Sequence, residues 1–85
     1  MKLIYCPACE DIVRMTHRTR KCRCKLSWGR YLSDGLHATI GGRAIPLGIS
    51  NGSFYHALGS RQDTGAVTFM AFVIERNCPT VTVDG

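Results

Sequence analysis

The chain has 85 residues, of which 45% are hydrophobic and 20% are charged, and its formal net charge is +5. This composition is typical of a small globular protein rather than a disordered chain, and the length excludes most multi-domain enzymes. No apolar run approaches the roughly 18 residues of a membrane span, and no secretory signal is recognisable, so we expect a cytoplasmic location and no membrane partner.

The positive charge is concentrated at the start of the chain. Residues 1–30 contain eight Lys and Arg residues against two Asp and Glu residues, and the rest of the chain is nearly neutral. A basic cluster of this kind is typical of a surface that binds anions such as phosphate groups or acidic protein faces.

Four of the five cysteines form two close pairs, Cys6 with Cys9 and Cys22 with Cys24. Two such pairs, separated by a hairpin-length gap, predict a tetrahedral zinc site. Because four thiolates complete the tetrahedron, we expect zinc to be structural, with no open position for catalysis. The alternatives are a disulfide framework, a redox cysteine pair, another metal, and replacement of one cysteine ligand by His17.

These residues resemble a zinc ribbon over about residues 3–33. The resemblance implies two cysteine knuckles held by a small antiparallel sheet, with a role in nucleic-acid or protein binding. Two features depart from the family pattern: Glu10 and Lys25 stand where a glycine usually follows each knuckle, and the second knuckle is one residue shorter than the first. The chain is also loosely similar to uncharacterised phage and prophage open reading frames, which implies no particular activity.

The first segment is predicted to be a three-stranded ribbon. Residues 11–21 alternate as a strand does, which would place Arg14, Arg18 and Arg20 in one stripe beside the metal. Residues 27–32 would return as the third strand, and turn residues follow at 33–35. We therefore predict a zinc ribbon at 1–33 and a small β-rich module with a short helix at 34–85.

The second segment begins with a predicted hairpin. Residues 36–40 alternate as a half-buried strand, and Gly41-Gly42 is a hairpin signal that precedes a strand at 43–49. Because Pro46 lacks a backbone N–H, that strand is predicted to be an edge strand or to carry a bulge.

The rest of the second segment combines a short helix with two strands. Residues 50–53 offer helix caps and Gly59 a stop, which predicts a helix of about two turns. The apolar run at 67–74 is predicted to be the central, most buried strand, and residues 80–83 a final edge strand. The predicted fold class is α+β and mostly β, with the zinc ribbon packed on a small antiparallel sheet.

The basic residues near the cysteines are the candidate binding residues. The four-thiolate zinc site has a charge of −2, which accounts for one or two neighbouring cations but not for this many. The candidates for binding nucleic acid or another anion are Arg14, Arg18, Arg20, Lys21, Arg23, Lys25 and Arg30. Trp28 and Tyr31 could stack on bases, but we expect Trp28 to pack between the two segments.

The leading functional hypothesis is a non-enzymatic zinc-ribbon module whose basic face contacts nucleic acid. No paired carboxylates, open metal site or activated nucleophile can be assembled from these residues, and His37, His56 and Cys78 are assigned structural roles. One alternative is a phage-type inhibitor or adaptor that binds a host protein. Another is a homo-oligomeric binder that sequesters an anionic nucleotide.

Overall fold

The computed structural model describes residues 1–61, 65–75 and 77–84. In this part of the chain there are eight strands and one helix, which confirms a mostly β fold with one short helix. The elements are β1 (Lys2–Tyr5), β2 (Ile12–Arg14), β3 (Arg20–Lys21), β4 (Ser27–Tyr31), β5 (Ala38–Gly42), β6 (Ile45–Ile49), α1 (Asn51–Gly59), β7 (Ala71–Val73) and β8 (Val81–Val83).

The strands form two four-stranded sheets. The first has the order β2-β1-β6-β7, and the second has the order β3-β4-β5-β8. The pairing is antiparallel throughout except between β5 and β8, which run parallel. Each sheet combines strands from both sides of residue 33. The division into 1–33 and 34–85 therefore remains a prediction, and a boundary at that point would cross the β1–β6 and β4–β5 strand pairs.

The core lies where β1 of the first sheet packs against β4 of the second. Its buried aliphatic residues come from three strands, β1, β2 and β5, and the loop after β2: Ile4, Val13, Met15, Ala38 and Ile40. The backbone of β4 comes close to this cluster at Gly29, where an added Cβ would lie 3.0 Å from Ile4 and 3.1 Å from Met15. Two cysteines, Cys6 and Cys22, belong to the same buried cluster, so the cysteine pairs are continuous with the core.

The continuous strand predicted for residues 11–21 is wrong. Val13 and Met15 are buried and Arg14 is exposed, as the alternation requires, but β2 ends at Arg14 and the chain crosses to the other sheet before β3. The Thr16 hydroxyl causes the bend locally, because it accepts a hydrogen bond from the N–H of Arg18 and donates one to its carbonyl. Arg14 and Arg20 therefore lie on strands of different sheets and do not form one stripe.

The hairpin predicted at Gly41-Gly42 is also wrong, because β6 pairs with β1 in the first sheet and not with β5. Gly42 has a φ of +66°, and a Cβ there would overlap the carbonyl of Leu26. The N–H of Arg43 donates to that same carbonyl at 2.9 Å. The two glycines thus carry the chain from one sheet to the other, a turn that the local sequence does not distinguish from a hairpin.

Pro46 lies in β6, an interior strand between β1 and β7, and not in the predicted edge strand or bulge. Its carbonyl accepts a hydrogen bond from the N–H of Ile74 at 2.9 Å. The proline has no N–H to return this bond, and β7 ends at Val73, one residue earlier. The N–H that Pro46 lacks would therefore lie at the end of the β6–β7 pair, so its absence removes only the last hydrogen bond between these strands.

The run at 67–74 is not the central buried strand. Only Ala71–Val73 is a strand, it lies at the edge of the first sheet, and within the run only Ile74 is buried. The helix packs on the segment before it, with the rings of Phe54 and Phe69 edge-to-face and their centroids 4.9 Å apart. Because α1 covers this segment and not β7, the most apolar part of the sequence remains at the surface.

The predictions for the helix and the last strand are confirmed. The hydroxyl of Ser50 caps α1 by accepting a hydrogen bond from the N–H of Ser53, and the helix ends at Gly59. Strand β8 lies at the edge of the second sheet. No helix in the described ranges is long and apolar enough to cross a membrane.

The outer face of the first sheet is unusually apolar. The strand register puts Leu3, Leu47 and Val73 on the same side of the sheet as Arg14. Ile12, two residues before Arg14 on β2, is on this side as well. Ile12 is 57% exposed and Val73 is 68% exposed. This apolar outer face lies opposite the core and has one cation, Arg14, among its members.

Candidate metal centre

The first cysteine pair lies in the tight turn between β1 and β2. Cys6 directly follows β1, and its N–H donates to the carbonyl of Asp11 at 2.9 Å, which extends the strand pairing to the base of the turn. The N–H of Glu10 donates to the carbonyl of Cys6 at 2.7 Å. These two bonds fold the chain back on itself, so the sulfur of Cys9 is brought next to that of Cys6.

The second pair lies in the turn between β3 and β4 and repeats this arrangement in a shorter form. The N–H of Cys22 donates to the carbonyl of Ser27 at 3.0 Å, and the N–H of Lys25 donates to the carbonyl of Cys22 at 3.1 Å. Glu10 and Lys25, at the positions where zinc ribbons usually have glycine, have φ angles of 60° and 66°. Both therefore adopt the left-handed conformation that glycine favours.

A hydrogen bond ties the two turns to each other. The carboxylate of Asp11, in the first turn, accepts from the backbone N–H of Arg23, in the second turn, at 2.9 Å. Since each turn belongs to a different sheet, this contact fixes the relative position of the two hairpins. The role of Asp11 was not predicted from the cysteine spacing. Its position two residues after Cys9 is the feature of the sequence that could have indicated it.

The four sulfurs converge on one point. All four Sγ atoms lie within 4.8 Å of one another, with Cys6 and Cys24 at 3.7 Å and Cys22 and Cys24 at 3.5 Å. A regular tetrahedron with metal–sulfur bonds of about 2.3 Å has sulfurs ~3.8 Å apart. The cysteines are therefore positioned to coordinate one metal ion, as predicted from their spacing.

The electrostatics of the cluster also fit a cation. For Cys24, the N–H of Leu26 favours the thiolate, but desolvation and the neighbouring sulfurs of Cys22, Cys9 and Cys6 outweigh it and raise the pKa to about 12. Four thiolates this close repel one another strongly unless a positive ion lies between them. The donor set is thus one that a divalent metal stabilises by neutralising the clustered charge.

Ser27 gives a second sign of an anionic sulfur in this site. It is fully buried, and its Oγ atom has no well-formed hydrogen bond within the described residues. The hydroxyl lies beside Cys6 and is the main cause of the lowering of the pKa of that thiol to about 6, with backbone N–H groups of Cys9 and Ala8 contributing. A buried hydroxyl without another partner fits a role as donor to a metal-bound thiolate.

His17, the alternative ligand, lies elsewhere, as do the fifth cysteine and His37. His17 is outside the sulfur cluster, and its ring lies near Tyr31, with the two centroids 6.1 Å apart. The thiol of Cys78 is 3.1 Å from the Thr80 hydroxyl, which lowers the pKa of that thiol. His37 pairs with Asp34 in the turn before β5. None of these groups joins the cysteine cluster.

Most of the predicted anion-binding residues come from the β3–β4 hairpin, which carries the second knuckle. We call these five residues the basic hairpin: Arg20, Lys21, Arg23, Lys25 and Arg30. The first four are exposed and Arg30 is half-buried, and no ion pair joins any of them to a carboxylate within the described residues. Arg14 and Arg18 lie outside this hairpin, on β2 and in the crossing that follows it.

One face of the hairpin combines cations with an aromatic ring. Lys21 is opposite Trp28 in the strand register, and Arg30 follows Trp28 on the same face of β4. The half-buried indole lies over Gly41 of β5, where a Cβ would overlap the ring. Trp28 thus packs across two strands, as expected of a structural residue, and still presents part of its surface between two cations.

No family model matches the chain, and comparison with curated proteins and with solved structures found no significant match. The resemblance to phage open reading frames therefore gains no support, and the resemblance to a zinc ribbon depends on the geometry of the four cysteines.

Proposed function

We propose that the protein is a non-enzymatic zinc-binding module that contacts nucleic acid through its basic hairpin. The observation that carries this proposal is the convergence of four cysteine sulfurs at the turn of a hairpin whose five cations have no ion-pair partner among the described residues. Zinc is the metal best suited to four thiolates in a tetrahedron, and the closed ligand set favours a structural role.

Zinc, when bound, supplies a cross-link between the two cysteine turns. The chain's own residues complete the site: the Ser27 hydroxyl lies beside the Cys6 sulfur, to which it would donate in the metal-bound state, and Asp11 holds the backbone of the second turn in place. The β3 strand has only two residues, too few to hold a hairpin in position by strand pairing alone. A metal at the turn of the hairpin would hold its cations in a fixed arrangement.

The hairpin suits a polyanion with accessible bases. Its cations would contact phosphates, which positions the nucleic acid without selecting a sequence. Trp28, between Lys21 and Arg30, offers a partly exposed ring on which an unpaired base can stack. These features favour single-stranded nucleic acid over duplex.

The experiment that tests this proposal is a salt series of fluorescence anisotropy titrations with single-stranded and duplex oligonucleotides. Affinity should fall with salt, with a log–log slope of about −0.7 per phosphate contact on single strands and about −0.9 on duplex. Arg23→Gln should weaken binding and lower the slope by about one contact, whereas Arg61→Gln, the same change beyond α1, should alter neither.

Trp28 provides an independent signal because it is the only tryptophan in the chain. A base that stacks on the indole should quench its fluorescence in step with the anisotropy change. Salt-independent binding, or equal effects of Arg23→Gln and Arg61→Gln, would exclude the basic hairpin as the binding surface.

A second candidate function is that of an adaptor that binds a protein with an acidic rim. It is favoured by the apolar outer face of the first sheet, where Ile12 and Val73 are more than half exposed beside Arg14. A stoichiometric partner that is lost on Val73→Asp and retained on Arg23→Gln would support this role. A partner lost only on Arg23→Gln would instead assign the protein contact to the basic hairpin.

A further inference from the structure

A cleft that has Arg14 in common with the apolar outer face combines cations with aromatic rings. It has a volume of about 510 Å³, within the roughly 300–1,000 Å³ of small-molecule sites, and opens between the start of β1, the end of β2 and helix α1. We call it the basic cleft; the lining residues that matter here are Lys2, Arg14, His17, Tyr31 and Tyr55.

The charge in the basic cleft is of one sign. Lys2 and Arg14 both line it, and no Asp or Glu is among the described residues of its wall. Asp34 precedes the lining residue Gly35 in the sequence. Its carboxylate accepts hydrogen bonds from the N–H groups of Leu36 and His37, within the turn before β5. The cleft therefore has cations without acidic partners, as an anion site requires.

The aromatic wall of the cleft is held in position by contacts within the fold. The N–H of Lys2 donates to the Tyr31 hydroxyl at 2.7 Å, and the Lys2 ammonium lies 5.7 Å from the centroid of the Tyr31 ring. The ammonium also donates to the carbonyl of Leu36 at 2.6 Å, which leaves two of its three N–H donors for a ligand. Tyr55, on helix α1, is 61% exposed, so its ring can be covered by a ligand.

We propose that the basic cleft binds a nucleotide, with the phosphate group near Lys2 and Arg14 and the base against the tyrosine rings. A nucleotide combines a phosphate anion with a planar π-system, and these are the two features that the cleft's cations and rings recognise. The same chemistry is offered by a free nucleotide and by the phosphorylated end of a single strand. The proposal goes beyond the function of the basic hairpin, because Lys2, Tyr31 and Tyr55 are not part of that hairpin.

The test uses the zinc-loaded full chain and calorimetric titration with AMP, with adenosine and inorganic phosphate as partial ligands. AMP should bind about tenfold or more tightly than either part, because only the nucleotide meets both the cations and the rings. Tyr55→Ala should weaken AMP binding about tenfold. Lys2→Gln should weaken AMP but not adenosine, whereas Arg43→Gln, the same loss of one charge at an exposed residue after β5, should leave AMP binding unchanged.

Two comparisons distinguish a free nucleotide from the phosphorylated end of a strand. If the source is a strand end, a 5′-phosphorylated oligoadenylate should bind more tightly than AMP, and Tyr55→Ala should remove that advantage. If the source is a free nucleotide, Tyr55→Ala should weaken AMP and leave oligonucleotide binding unchanged.

The proposal is overturned if AMP does not bind at millimolar concentration, or if Lys2→Gln and Arg43→Gln have equal effects. Because Tyr55 is exposed on a helix, its replacement should leave the fold intact, and this is checked by zinc content and circular dichroism. The two proposals can fail separately. The salt dependence of duplex binding tests the basic hairpin, whereas the effect of Tyr55→Ala on AMP binding tests the cleft.

Discussion

Removal of the metal should unfold the whole chain and not only residues 1–33. The reason lies in the position of the cysteine turns, since one is attached to β1 and the other to β4. Strand β1 pairs with β6, and β4 pairs with β5, so each turn is joined to a strand from the second segment. Loss of the site would release both sheets from the core that they share.

The magnitude follows from the size of the chain. At about 0.05–0.15 kcal/mol per residue, a chain of 85 residues has a net stability of roughly 4–13 kcal/mol. Structural zinc contributes about 10–16 kcal/mol in zinc-finger peptides at neutral pH. Loss of the metal is therefore comparable to, or larger than, the whole stability of the fold, and the apo chain should be unfolded at room temperature.

The measurement is a thermal melt by circular dichroism, with and without a strong chelator, together with hydrogen exchange and elemental analysis. We expect one zinc per chain, a cooperative melt that chelation abolishes, and loss of amide protection in β5 and β6 along with β1 and β4. Cys22→Ser should behave as the chelated chain does, whereas Cys78→Ser, outside the cluster, should retain the metal and the melt.

Two outcomes would refute this reasoning at different points. A melt unchanged by chelation, with no metal found, would show that the cysteine cluster is not a metal site. Loss of protection confined to residues 1–33, with β5 and β6 still protected, would show that the second segment folds independently and that the shared core contributes little.

Two further predictions concern the turns. Glu10→Gly should stabilise the protein by about 1 kcal/mol relative to Glu10→Ala in urea titrations, because the φ of 60° is strained for a residue with a Cβ; equal stabilities would contradict this. The N–H of Leu36, then the side chain and N–H of His37, lower the pKa of Asp34 to about 2 from an ordinary value of about 4. The stability that this carboxylate contributes is thus fully present above pH 4 and lost as pH falls towards 2. The wild-type chain should therefore be more stable than Asp34→Asn at pH 4, and this difference in the free energy of unfolding should shrink towards pH 2. A difference that stays constant with pH would contradict the hydrogen bonds assigned to Asp34.

The metal site could be predicted from the sequence because its geometry is local. Each cysteine pair lies within a turn of a few residues, and turns of that length can direct two sulfurs to one point whatever the rest of the chain does. The capped helix was predictable for the same reason, since the Ser50 hydroxyl meets the N–H of Ser53 within the same turn. The only long-range requirement is that the two cysteine turns lie next to each other, and a four-cysteine metal site itself requires this.

The strand partners could not be predicted because they depend on long-range pairing. Gly41-Gly42 is equally compatible with a hairpin and with a crossing between sheets, and the choice depends on the distant carbonyl of Leu26. The apolar run at 67–74 has the pattern of a buried strand, yet β7 is at an edge because the first sheet's interior is already filled by β1 and β6. Apolar periodicity shows that a segment can be buried, but not that the fold has a place for it.

The crossings between sheets predict that the metal site and the two proposed binding surfaces are coupled. The chain passes from the first sheet to the second after β2 and returns after β5, so neither sheet is built from one continuous segment. The cysteine cluster lies at the ends of β2 and β3 that are remote from the first crossing, and the Asp11 carboxylate joins its two turns there. A metal at this point fixes the distance between Arg14 on β2 and Arg20 on β3, one in the basic cleft and the other in the basic hairpin. Occupancy of the metal site should therefore control both proposed anion-binding surfaces together, although none of the proposed phosphate-binding residues is a metal ligand.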